Sequence, residues 1–303
     1  MKRIALTLFV FSLLLGILMS TRVLALENDL SDDLLNQSVH GAGLALQNTF
    51  PAVEFTFGEG VHDWYKFLLL EVMTALPKVH TDNLEAVSVS DFDLKRRGVT
   101  SFRIDFKTYD PHLKMRLNPI EFPIEFGFSC HTVKECFRVT TPYINREFMA
   151  VAVHEIGHAF DLGLSTQGTS KSGIHSIFKA GQFPFFNDDP SLVFYSICFS
   201  SSERLNTACN RLDFVSGYSK QDVFEDFAES LSVYVLDGEN FYQRALSYQE
   251  KGRDFLMRKY AFFRDRIFDG KEFRLVEREK YNLFTTLDTT KRYFAMKTFL
   301  YKY

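Results

Sequence analysis

His154-Glu155-Ile156-Gly157-His158 sets two imidazoles four residues apart. On a helix that spacing projects both from one face, where they can share a single metal ion. The glutamate between them is placed to handle a proton. Zinc suits such a pair: it accepts neutral imidazole nitrogens, favours four ligands and, in reactive sites, keeps one position for water, whose pKa it lowers to about 7. The surrounding residues read as the required helix. Residues 146–162 contain no proline, and Phe148, Met149, Val151, Ala152, Ile156, Ala159 and Phe160 cover most of the circumference, as in a helix buried in a core. Asn145 is the expected N-cap and Gly163 the expected stop.

Two histidines leave a metal short of ligands, and a second helix offers a carboxylate. In Asp222-Val223-Phe224-Glu225-Asp226-Phe227-Ala228-Glu229-Ser230-Leu231, Glu225 and Glu229 share one face, with Asp222 and Ser232 at neighbouring offsets. Like charges at that spacing repel, and a cation beside them reverses the sign of that interaction. Phe224, Phe227, Ala228, Leu231 and Val235 mark residues 222–236 as a helix packed on the core rather than a solvated acidic face.

Taken together, His154-Glu155-x-x-His158, Tyr218 seven residues ahead of Glu225, and Glu225-Asp226-Phe227-Ala228-Glu229 resemble the gluzincin metallopeptidases typified by the anthrax lethal factor catalytic domain and related secreted bacterial peptidases. Those share a tyrosine followed by Glu-Phe-Phe-Ala-Glu. The resemblance implies that His154, His158 and Glu225 ligate one zinc per chain, that Glu155 is the general base, and that Tyr218 donates to the developing oxyanion. It implies Glu229 as an outer partner orienting a ligand imidazole. Asp161 falls where that family often has an aspartate, and for it an orienting role and a purely structural one both stand. The match covers roughly residues 145–236. The stretch between His158 and Tyr218 is longer than in the lethal factor type and carries Cys198, Cys209 and Ser200-Ser201-Ser202, so no substrate preference is carried over. A metzincin is disfavoured, because Asp161 and Leu164 stand where it needs glycine and histidine.

Residues 1–25 read as a cleaved signal peptide. Lys2 and Arg3 precede a short apolar run over 4–19, and Val23-Leu24-Ala25 suits signal peptidase. No cysteine follows that site, so a lipoprotein is not expected, and no other segment is apolar enough to span a bilayer. The expected location is the periplasm or the exterior. Four cysteines in an exported chain point to two disulfides with three possible pairings, of which the local one, Cys130 with Cys136 and Cys198 with Cys209, is the simplest. Neither pair has the spacing of a structural zinc site.

Removing residues 1–25 takes away Lys2, Arg3 and Arg22 and no acid, moving the formal charge from −3 to −6. That balance, with no basic stripe or phosphate-binding glycine loop, argues against nucleic acid as a partner. The 33 phenylalanines predict an aromatic core for a single domain over residues 26–303.

Elsewhere the pattern predicts a lead-in or first helix within 26–50 and a helix over 61–76 ending at Pro77. Strands are expected at 86–90, 101–109 and 120–128, with 137–140 returning beside the last. Pro123 marks an edge strand, which either accepts an extended peptide or is simply protected by proline and charge. After Leu236 the pattern is helical, and the aromatic, basic tail 291–303 is expected to dock by its aromatic face.

The expectation is therefore an α+β zincin-like domain with a small sheet, the His-Glu-x-x-His helix and a helical C-terminal part. It would be an exported enzyme hydrolysing peptide bonds of a peptide or protein substrate with zinc-activated water. The alternative is a non-catalytic zinc-binding exported protein on the same scaffold, which needs neither Glu155 nor Tyr218.

Overall fold

The computed structural model describes residues 40–90, 92, 97–104, 111–119, 142–167, 174–270 and 272. In chain order the elements are α1 (Ala42–Thr49), β1 (Glu54–Phe57), α2 (Asp63–Ala75), β2 (Leu84–Val89), β3 (Gly98–Ile104), β4 (Pro111–Leu117) and α3 (Pro142–Gln167). They continue with β5 (His175–Ala180), β6 (Phe183–Phe186), α4 (Ser191–Cys198), β7 (Phe199–Ser201), β8 (Arg204–Leu205), α5 (Val223–Gln249) and α6 (Phe255–Phe262). The architecture is mixed α+β. Residues 1–25, Cys130 and Cys136, the strands expected at 120–128 and 137–140, and the tail 291–303 lie outside the described residues.

The main sheet has the order β1-β2-β4-β3, with β1, β2 and β4 parallel and β3 antiparallel to β4 at the edge. Alternation explains its seating: Leu113, Met115 and Leu117 of β4 are buried while Lys114 and Arg116 are exposed, so one face meets the core. The helix α2 supplies the β1-to-β2 crossover. It starts where His62 accepts the amide of Trp64 and stops before Pro77, whose ring disfavours a helical residue ahead of it. It buries Trp64, Phe67, Leu68 and Val72.

At the centre lies α3, packed by α2, α5, β3 and β4. Its buried set, including Phe148, Ala152, Val153, Ile156, Ala159 and Phe160, surrounds the helix as the sequence predicts. Its limits differ from expectation. The helix opens at Pro142, a residue suited to a first turn because it lacks an amide proton, and so Asn145 lies inside it. It also runs through Gly163. There a Cβ would collide with the Asn83 side chain, so this glycine permits a close approach rather than a stop.

Between His158 and Tyr218 the described residues form the β5–β6 hairpin, α4 and the β7–β8 hairpin. The Cys198–Cys209 disulfide, with a Cα separation of 5.5 Å, closes the last of these as expected. Ser202 locks this insert to itself: its hydroxyl accepts from the amide of Lys179 and donates to the carbonyl of Lys179, both at 2.7 Å. Beyond it, Phe194, Phe227, Tyr234, Phe262 and Phe263 pack ring against ring, in edge-to-face and tilted pairs, where α4, α5 and the end of α6 meet. Each such pair adds about 0.5–1.5 kcal/mol beyond its buried area. No helix among the described residues is long and apolar enough to cross a membrane.

Candidate metal centre

The crossing of α3 and α5 brings the two sequence motifs together. Their contact is between small residues: a Cβ on Gly157 would lie 3.0 Å from the Cα and 3.3 Å from the Cβ of Ala228. Any larger side chain at either position pushes the helices apart. Ser232 adds a hydrogen bond from its hydroxyl to the carbonyl of Ala150 at 3.0 Å. Asp222 caps α5 by accepting from the amides of Phe224 and Glu225, which fixes the start of the helix and thus the direction of Glu225.

The result is a convergence of three ligand atoms, all within 4.8 Å of one another. His154 Nε2 and His158 Nε2 are 3.0 Å apart, and Glu225 Oε2 lies 3.2 Å from the first and 3.5 Å from the second. Zinc bound at about 2.0–2.1 Å in a tetrahedral site separates its ligand atoms by roughly 3.3 Å, so the spacing fits such an ion. Satisfaction points the same way. Glu225 Oε2 is buried and makes no hydrogen bond, although two imidazole nitrogens face it. Buried carboxylate oxygens normally find a donor, and a cation at the point where all three atoms aim could serve as that partner.

The electrostatics reflect an acid-rich pocket. Burial disfavours charge on His154, but its contacts with Glu225 and Glu229 and the negative charge of Glu155 outweigh that and hold its pKa well above the ordinary histidine value. A metal ion would take the place of that proton. For Glu225, burial works to raise the pKa, and the neighbouring imidazoles overcome it and pull the carboxyl far below its usual range. Glu229 is the outer neighbour, with Oε1 3.0 Å from His154 Nδ1. Tyr218 donates its hydroxyl to Glu225 Oε1 at 2.9 Å, and burial followed by the charge of Glu225 raises its pKa far above that of an ordinary phenol.

The centre lines a cleft of about 620 Å³ together with Glu155, Glu229, Phe102, Phe224 and the edge strand β3. Asp161 sits apart from it. Its side chain is fully buried and Oδ2 accepts from the Tyr195 hydroxyl at 2.6 Å, which ties α3 to α4. Burial pushes its carboxyl up to about 7, with Asp189 adding to the rise.

Sequence reasoning missed Gly98 and Thr100, which meet Glu155 from β3 across a separation of 55 residues in the case of Thr100. Their only local signal is a shared strand face, two residues apart. Compared with known proteins, the chain matches no family model, no curated protein and no solved structure.

Proposed function

We propose that the chain is an exported zinc-dependent metallopeptidase of the gluzincin type on a zincin-like fold. The observation that carries this reading is the convergence of His154, His158 and Glu225 on one point of a cleft that Glu155 and Tyr218 also line. Export is supported by the signal pattern of residues 1–25 and by the Cys198–Cys209 disulfide, since such bonds persist in oxidising compartments.

The three ligand atoms would hold the zinc, with Glu229 orienting His154 from behind. When bound, zinc supplies a Lewis acid and lowers the pKa of water. Glu155 takes the proton of the attacking water onto its carboxylate as the new C–O bond forms, then returns a proton to the amine as the C–N bond breaks. Tyr218 keeps its phenolic proton across the physiological range and turns it from Glu225 toward the oxyanion, where such a donor is worth a few kcal/mol. The β3 edge lets an extended peptide add itself as a strand beside Glu155.

Glu155→Gln and Tyr218→Phe test the assignment on a fluorogenic peptide selected from a mixed library by the parental protein. Both variants keep about one zinc per chain by metal analysis. The first loses nearly all turnover, and the second falls on the order of a hundredfold in kcat with little change in KM. A Glu155→Gln protein that cleaves at the parental rate would exclude a zincin-type hydrolase. Zinc binding without any cleavage by the parental chain would favour the non-catalytic alternative.

A further inference from the structure

Glu155 is 5% exposed, and its carboxylate ends a flexible side chain that could settle in several rotamers. Two residues of β3 remove that freedom. The Thr100 hydroxyl lies 2.7 Å from Glu155 Oε2 and 2.9 Å from the Glu155 backbone carbonyl oxygen. One hydroxyl therefore ties the carboxylate to the backbone of its own helix. Threonine suits the task because its branched Cβ restricts χ1, so the strand backbone sets the direction of the hydroxyl.

Gly98, two residues earlier on the same face, takes up the other side. A Cβ there would lie 2.5 Å from Glu155 Oε1, 2.7 Å from its Cγ and 2.8 Å from Val151 Cγ1. Only a residue without a side chain leaves room for the carboxylate in this position. β3 thus contributes both a hydrogen bond and a space to one side chain.

We propose that Thr100 and Gly98 form a cradle on the edge strand that positions the Glu155 carboxylate, making Thr100 a positioning residue for the general base. The inference rests on the peptidase reading for its kinetic consequence but not for its geometry. It also gives β3 a second duty: the strand whose edge faces the cleft also aims the proton acceptor, so any shift of β3 relative to α3 moves the acceptor as well. Misplacement by about 1 Å can cost on the order of a hundredfold in rate.

The test compares Thr100→Val with Thr100→Ser. Valine keeps the branched shape and strand preference and puts a methyl where the hydroxyl was, whereas serine keeps the hydroxyl. In the full chain with zinc bound, Thr100→Val is expected to lower kcat on the selected peptide by about ten- to a hundredfold. KM and zinc content should stay as in the parent. Thr100→Ser should stay within about threefold of the parent, and Gly98→Ala should lower kcat like the valine variant, with the same zinc content. Crystal structures form the second arm, which needs no substrate: the Glu155 carboxylate leaves its position in Thr100→Val and keeps it in Thr100→Ser.

Parental kcat in Thr100→Val, with Glu155→Gln inactive, would overturn the cradle and leave the peptidase reading intact. An equal loss in the serine variant would also overturn it, because the hydroxyl would then not be the cause. If Glu155→Gln cleaves at the parental rate the peptidase reading falls, and the crystal structures alone decide whether Thr100 holds the carboxylate. Should Thr100→Val fail to fold, as read by its melting temperature, Thr100→Ala takes its place with the same expected outcome.

Discussion

Glu225 and Asp226 are neighbours on α5, about 100° apart around the helix, and point into two acidic clusters that are built differently. Asp226 meets Lys259 of α6, whose ammonium lies 2.6 Å from Oδ2, donates to the carbonyl of Asp213 at 2.9 Å and sits 4.0 Å over the Phe214 ring. Arg253 pairs with Asp213, and Arg244 donates to the carbonyls of Phe214 and Val215. Here the chain's own cations meet the acceptors. On the Glu225 side the carboxylate meets two imidazoles and the Tyr218 hydroxyl, and Oε2 is left without a hydrogen bond. The lesson is that buried acids alone do not mark a candidate metal centre; what distinguishes this one is a set of potential ligand atoms, two imidazole nitrogens and a carboxylate oxygen, aimed at one point.

The largest effect should come from breaking the neutralised side. Lys259→Met leaves the Asp226 carboxylate buried without its cation and should cost about 3–5 kcal/mol, read by urea unfolding. Adding Asp226→Leu should recover most of that, because removing both charges is far cheaper than removing one. A loss under about 1 kcal/mol in the single variant would show that the pair does not hold α6 on α5, and the contrast would fail.

A third kind of buried polar group sharpens the comparison. His80 is 1% exposed, both its ring nitrogens lack hydrogen bonds, and it packs between Phe160 and Phe268 with ring centroids 4.1 and 5.1 Å away. Among the described residues no group of potential metal ligands includes it. Burial holds it neutral and lowers its pKa from 6.5 to about 4. Because the folded value lies below the unfolded one, the unfolded chain binds more protons between those values. The contribution of His80 is then fully present above pH 6.5 and is lost as pH falls toward 4, by about 3 kcal/mol. Unfolding of the chelator-treated protein at pH 7 and at pH 4.5 should show this fall, and His80→Phe should reduce it. An identical pH dependence in the two proteins would remove His80 as the cause.

The smallest effect has two halves. Glu229→Gln should weaken zinc binding by about ten- to a hundredfold, since it removes the carboxylate next to His154 Nδ1. In the metal-free protein it should also destabilise, because losing the carboxylate that faces the protonated His154 ring outweighs the relieved repulsion with Glu225. Zinc titration and chelator-treated melting curves measure the two halves. If Glu225→Ala keeps zinc while Glu229→Ala loses it, the two glutamates exchange roles.

Much of the centre was legible because its pieces are local. The spacing of His154 and His158 and of Glu225 and Glu229 is a property of one helix turn. The helix is found where expected, with a non-helical Asp237 just after Leu236, while Asp222, read from the sequence only as a residue of the acidic face, turns out to cap it. The Cys198–Cys209 pairing was readable because it too is local. β1, β4 and the β5–β6 hairpin were not anticipated: Glu54–Phe57 and Phe183–Phe186 are too short for period two to stand out, whereas β4 does alternate, with Leu113, Met115 and Leu117 against Lys114 and Arg116, and was missed although its period was legible. Gly163 misled because a glycine serving a close contact looks the same in sequence as one ending a helix.

The sequence by itself determined which residues can bind a cation and which helix faces carry them, because side-chain chemistry and helical period are local properties. Only the tertiary structure decided that Glu225 rather than Glu229 reaches both imidazoles, that Asp161 belongs to Tyr195, that Asp226 is answered by Lys259, and that Thr100 and Gly98 enclose Glu155. Those outcomes depend on how closely two helices cross at Gly157 and Ala228 and on which strand ends at the sheet edge. Both are set by packing between segments far apart in the chain, where no local period carries the information.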